Sequence, residues 1–211
     1  MFTWVNKLKL TTNHPCRGVA MLKANRKERY LSREEIQQLL SVADGDLHDM
    51  AMVALGTGMQ ASEVLSLDRE HVNLGQGVAI LPDTKNGDRR IVPLPPEVVE
   101  MLQRRPIPLR EIFPGGTLSR LEKAFTRAVR GAGLQSVSFH TSRLTFASYA
   151  VMAGVDLYTL AKILGHRDVK MVQRYTHLAP AHLQAATNQT ASAIFAADMP
   201  QKLPHAIESA A

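Results

Sequence analysis

The apolar residues of this chain recur at helical spacing over most of its length, and the period changes at one segment, GVAILPDTKNGDRRIVPL, residues 77–94. There two short runs flank Asn86-Gly87. Both residues tolerate positive φ, which makes this pair a strong signal for a tight hairpin turn. A short hairpin set between helical stretches constrains the fold class: α+β, mostly α-helical with a small antiparallel β-sheet.

The helices announce their ends. Ser32 and Glu35 have the spacing of a capping box, and Ile36, Leu39 and Leu40 continue at helical period. Asp46 is expected to cap DLHDMAMVAL, with Met50, Val53 and Ala54 on one face and Gly56 and Gly58 breaking it. ASEVLSL reads as a short helix. Pro95-Pro96 opens PEVVEMLQRR, where proline suits a first turn. Thr117 or Leu118 opens LSRLEKAFTRAVRGAG, with an apolar stripe of Leu121, Phe125, Ala128 and Val129 and a stop at Gly131 and Gly133. The segment from His140 is helical to about Ala153, with Gly154 as its stop. Asp156 caps DLYTLAKIL and Gly165 closes it. Asp168 caps the turn that carries Tyr175, and an Ala-rich amphipathic stretch follows Pro180. The last residues read as disordered.

Bulk properties limit the partners. The 211 residues allow one substantial core plus tails. The 25 Lys+Arg against 19 Asp+Glu give a net charge of +6, which suits a polyanionic partner without requiring one. The single Cys16 makes no internal disulfide and fits a reducing compartment. No apolar run reaches the length of a membrane span, and MFTWVNKLKLTTNHP lacks a signal peptide's apolar stretch. The expectation is a soluble cytoplasmic protein with no membrane partner.

The chemistry concentrates between His140 and Tyr175. His140 and Arg143 share a helix face at H-x-x-R spacing, Gly165-His166 follows, and Tyr175 comes nine residues after His166. Each alone has an ordinary reading: a surface pair, a helix-end ligand, a core aromatic. Together they supply an attacking oxygen, a fixed cation and two imidazoles, the inventory for phosphodiester transfer without a metal. His140, His166, His177 and His182 come without a Cys pair or an HExxH pattern, so no metal is expected. Arg104, Arg105 and Arg110 read as a solvated face.

In their order and spacing, LSREEI, TGMQASEVLSL, TKNGDRRIVPL, HTSRLTFAS, LGH and RYTHL resemble the catalytic domain of the tyrosine recombinases, or phage-type integrases, from about Leu31 to Leu183. The resemblance implies that fold and a mechanism. Tyr175 attacks the scissile phosphate, a 3′-phosphotyrosyl link forms, a 5′-hydroxyl leaves, and a second strand's hydroxyl then attacks. No cofactor, ATP or metal is required. Lys85 on the hairpin would be the general acid, Arg143 would hold non-bridging oxygens through its planar fork, and His166 would hydrogen-bond the same phosphate. His140 would orient or deprotonate Tyr175, whose phenol ordinarily ionises near pH 10. Lys123, Arg127, Arg130 and Arg89 would contact DNA. Residues 1–30, with NHPCRGV, look like a linker or remnant following an N-terminal core-binding domain. Residues 31–183 would be the catalytic domain, and 184–211 a C-terminal helix and disordered tail. The partner implied is double-stranded DNA rather than a small-molecule substrate. The family's C-terminal segment commonly docks on a neighbouring protomer, which predicts a homo-oligomer on DNA with Ile194 and Phe195 as apolar anchors.

Two positions depart from the family. Its TG-x-R-x-x-E pattern reads Thr57-Gly58-Met59-Gln60-Ala61-Ser62-Glu63 here, so Gln60 stands at the first catalytic arginine while Glu63, that arginine's brace, remains. Leu144 replaces a histidine common after the second arginine. Loss of one electrostatic donor typically costs about a thousandfold in rate, so impaired recombination is the expectation. The alternative is a non-catalytic DNA-binding relative. A neighbouring cation, Arg89 or Arg90, could substitute in part, or Gln60 could be an engineered or sequencing change.

Overall fold

The computed structural model describes residues 29–81, 89–105, 110–166, 168–178 and 180–195. Lys85 and the Asn86-Gly87 turn lie outside the described residues, as do residues 1–28 and the tail after 195.

Helices dominate, as expected. They are α1 (Arg33–Val42), α2 (Gly45–Thr57), α3 (Ala61–Leu65), α4 (Pro96–Arg104), α5 (Leu118–Gly131), α6 (Phe139–Met152), α7 (Leu157–Leu164) and α8 (Pro180–Phe195). Among the described residues, three short strands, β1 (Val72–Asn73), β2 (Val78–Leu81) and β3 (Arg90–Pro93), form one antiparallel sheet in the order β1-β2-β3. The hairpin signal gave β2 and β3. β1 was not anticipated, because two residues are too few to show a period.

Most local signals operate as written. Ser32 Oγ accepts the Glu35 amide at 3.2 Å while Glu35 accepts the Ser32 amide at 3.0 Å, closing the capping box. Pro95 is the N-cap and Pro96 the first residue of α4. Thr117 caps α5, and Leu121, Phe125, Ala128 and Val129 are its buried stripe. Asp156 accepts two amides at the start of α7. Four expectations need correction. Gly56 does not break α2, which runs through it to Thr57 and is closed by Gly58. Asp168 caps the 3-10 turn Val169–Met171, which precedes the turn Gln173–Leu178 that carries Tyr175. The N-cap of α2 is Asp44, not Asp46. Asp46 already lies in the first turn, where its carboxylate pairs with Arg105. Arg105 in turn is not part of a solvated face. Its side chain is 13% exposed, it also binds Asp49 at 2.8 Å, and it stacks 4.8 Å from the Phe113 ring centre.

α6 is the centre of the molecule. It packs chiefly against α2 and against the 3-10 turn Gln173–Leu178 that carries Tyr175. Its buried positions, from Phe139 through Ser142, Arg143 and Ala147 to Val151, fall on all its sides, the pattern of a helix enclosed by others. One apolar cluster joins α1 to α5 and the sheet and ends at Phe139. A second gathers Ala147, Val151, Leu160, Leu164, Val172 and Tyr175. Arg143 lies on α6 between the two.

Candidate active site

Two helix C-termini converge on Arg143. α2 ends at Gly58, in the left-handed conformation at φ 69°, and α7 ends at Gly165, likewise left-handed at φ 68°. The last carbonyls of a helix have no partner within it and carry the negative end of its dipole. Here they face a guanidinium. Arg143 donates to the Gly58 carbonyl at 2.8 Å and the Leu164 carbonyl at 2.6 Å. Glycine is required at both caps twice over. A Cβ on Gly58 would stand 2.6 Å from Leu164 Cδ2 and Phe146 Cδ1, and one on Gly165 would stand 2.3 Å from Arg90 Nη1. The glycines of the TGMQ and LGH motifs therefore place backbone acceptors that a side chain would push away.

Arg90, from β3, enters the same place. It donates to the Leu164 carbonyl at 2.5 Å and to Glu63 Oε2 at 2.8 Å. Glu63 Oε2 also accepts the Gln60 amide at 2.7 Å and lies 3.8 Å from Arg143 Nη1. One carboxylate thus lies against both guanidinium groups. Gln60, the N-cap of α3, is exposed. Strand parity decides which arginine comes in. Ala79 pairs with the fully buried Val92, so residues 90 and 92 share the inward face, while Ile91 is 61% exposed. Arg89 lies on the surface.

His166 follows the α7 cap. Its Nε2 stands 3.0 Å from Arg143 Nη2. An arginine only donates, so Nε2 is the acceptor and the ring proton sits on Nδ1. Burial, then the cations of Arg143, Arg174 and Arg90, then His140 hold the imidazole neutral, with its pKa pushed down to about 4. Its Nδ1 is buried without a hydrogen-bond partner among the described residues, and so is Arg90 Nε. Arg143 is only 4% exposed, and burial brings its pKa down to about 10. Arg90 pushes the same way, while Glu63 and Tyr175 oppose it. It remains a cation at neutral pH.

The residues singled out from the sequence thus divide. Arg143, His166 and Tyr175 come together, and Tyr175 is 4% exposed. His140 is exposed on the first turn of α6, near enough to act on His166. Leu144 joins the second apolar cluster. Lys123, Arg127 and Arg130 are exposed on the face of α5 opposite its buried stripe. Lys85 falls outside the described residues. The sequence did not single out Arg90 from Arg89, nor the carbonyl of Leu164.

Two arginines, a neutral imidazole and a buried tyrosine are thus set together on a helical domain with a small sheet. The chain belongs to the phage integrase family, whose model matches residues 29–182. It is 36% identical over 127 residues to a shufflon-specific DNA recombinase of Escherichia coli, covering 60% of this chain and 33% of that protein. It is 30% identical over 208 residues to the tyrosine recombinase XerD of Pasteurella multocida, covering 87% and 70%. The catalytic domain of bacteriophage HP1 integrase superposes with a TM-score of 0.62 at 30% identity, covering 75% of this chain and 93% of that one. The chain spans a third to about half the length of several curated relatives it matches.

Proposed function

We propose that this chain cleaves and rejoins double-stranded DNA by transesterification through Tyr175. The observation that carries the reading is the joint placement of Arg143, Arg90 and His166 around the Leu164 carbonyl, within electrostatic reach of Tyr175. The Tyr175 oxygen forms a bond to phosphorus while the bond from phosphorus to the 5′-oxygen breaks. His140 takes the phenolic proton, and Lys85 delivers one to the departing 5′-oxygen. Arg143 binds non-bridging oxygens, and His166, neutral with its proton on Nδ1, donates a hydrogen bond to the same phosphate. Each step exchanges one phosphodiester for another, so no external energy source enters. Tyr175 is nearly enclosed, so productive binding includes a shift of the Gln173–Leu178 turn.

Residues 31–183 are the catalytic unit in this reading, with 1–30 a linker and the segment after 183 an assembly element. Ile194 and Phe195, 67% and 82% exposed on α8, are the surface through which copies associate on DNA. Lys123, Arg127, Arg130 and Arg89 contact the DNA backbone. Solved relatives include a XerH recombinase bound to its difH substrate.

Gln60 favours a second reading, a relative that binds DNA without cutting it. A nicked suicide duplex separates the two. Cleavage next to the nick releases a short strand and leaves protein and DNA covalently joined. A Tyr175-dependent adduct supports the first reading. Salt-sensitive binding with no adduct supports the second.

A further inference from the structure

We infer that Arg90 takes the place of the arginine missing at position 60, so that a residue of β3 supplies the second phosphate-binding guanidinium. This rests on the DNA cleavage reading above and names one more catalytic residue for it.

Four observations converge. Glu63, which follows the vacant position by three residues, is not left alone, because its carboxylate holds Arg90 at 2.8 Å while lying 3.8 Å from Arg143. Arg90 and Arg143 donate to the same Leu164 carbonyl oxygen, at 2.5 and 2.6 Å, so the two guanidinium groups are immediate neighbours. Two like charges are brought together against their repulsion, and each weakens the ionisation of nearby groups. A scaffold that forces two cations together around one carboxylate is arranged to receive further negative charge. Last, Arg90 Nε is buried without a partner among the described residues, as is His166 Nδ1. Buried donors are ordinarily satisfied. An arginine has five N–H donors, and the hydrogen bonds to Leu164 and Glu63 engage two of them. Donors therefore remain for a phosphate oxygen.

The position is fixed from three sides. The hairpin register sets Arg90 opposite Leu81 and on the same face as Val92. Gly165 leaves the space that Arg90 fills, since a Cβ there would fall 2.3 Å from Nη1 and 2.8 Å from Cδ. Glu63 is anchored to its own helix through the Gln60 amide. Charge at this point of the site is thus retained, although the residue that bears it comes from a strand and not from the start of α3.

The test uses the full 211-residue chain and a pool of nicked duplexes with a randomised core. The readout is the rate of covalent adduct formation per molecule of DNA-bound protein. The chain and the variants Gln60→Arg, Arg90→Gln and Arg90→Gln/Gln60→Arg are compared, with melting curves confirming that each is folded. Arg90→Gln should slow the adduct rate about 10²–10³-fold. Gln60→Arg alone should change it by less than about threefold, because Glu63 is already occupied. The double variant should recover most of the loss, which a merely structural role for Arg90 would not allow. An Arg90→Gln rate equal to that of the parent overturns the inference. So does a rise of about a hundredfold or more in Gln60→Arg. An adduct from Gln60→Arg but none from the parent overturns the role of Arg90 and leaves Tyr175 chemistry standing. No adduct from any of the four overturns the cleavage reading itself, and the inference with it.

Discussion

Replacing Glu63 by glutamine keeps the shape of the side chain and removes the carboxylate that lies against both guanidinium groups. Arg143 is 4% exposed, and Arg90 and Glu63 are each 16% exposed. Removing one partner of a well-buried ion pair costs about 3–5 kcal/mol, because the remaining charge is left desolvated. The partial exposure of Glu63 and Arg90 reduces this to roughly 2–4 kcal/mol. The amide oxygen of the new glutamine still accepts the Gln60 N–H, so the start of α3 is not the weak point. A domain of this size loses about 2–4 °C for each kcal/mol, so the melting temperature should fall by roughly 4–16 °C. Sulfate should restore part of the loss in Glu63→Gln by supplying an anion between Arg90 and Arg143, and should stabilise the parent less. Urea unfolding at pH 7, with and without sulfate, measures both quantities. A change below about 0.5 kcal/mol, or the same sulfate effect in both proteins, would refute the idea that Glu63 holds two mutually repelling cations.

Three further outcomes follow from the geometry. His166 has its pKa pushed down to about 4 by burial and by Arg143, Arg174, Arg90 and His140, so between pH 4 and about 6.5 the unfolded chain binds a proton that the folded one does not. Stability is therefore full above about pH 6.5 and falls toward pH 4 by up to roughly 3 kcal/mol. His166→Gln should flatten that part of the pH profile, and an unchanged slope would contradict the assignment. Gly58→Ala should cost at least about 2 kcal/mol in denaturant unfolding, from a left-handed φ of 69° and a Cβ 2.6 Å from Leu164 and Phe146. Alanine at Lys123, Arg127 or Arg130 should leave melting within about 0.5 kcal/mol and lower the slope of log Kd against log salt by about 1 for each phosphate no longer neutralised. Unchanged slopes would remove α5 from the DNA surface.

The legible parts of this fold were those fixed by neighbours in sequence. Ser32 with Glu35, Pro95-Pro96, Thr117, Asp156 and the glycines after α2 and α7 act within a turn or two, and the residues alone betray them. Asp44 and Asp46 could not be separated that way: the chain turns helical at Gly45, and Asp46, inside the first turn, pairs with Arg105, 59 residues on. The ordered motifs singled out Arg143, His166 and Tyr175, which the fold brings together, but not their surroundings. Arg89 and Arg90 looked equivalent in DRRIVPL, since Ile91 and Val92 are both apolar and leave the strand's parity undecided. The pairing of Ala79 with Val92 decides it. The gap at Gln60 was visible at once. That Glu63 holds a different arginine, from a strand 27 residues later, depends on how the sheet docks against the C-terminus of α7.

The most direct measurement is the site of covalent attachment on the chain itself. The 211-residue protein is incubated with nicked suicide duplexes, digested with protease and nuclease, and the nucleotide-bearing peptide is sequenced by mass spectrometry. The account requires a nucleotide linked through its 3′-phosphate to Tyr175, absent from Tyr175→Phe. DNA bound in a salt-sensitive manner with no linked peptide, or a nucleotide on any other residue, would contradict it.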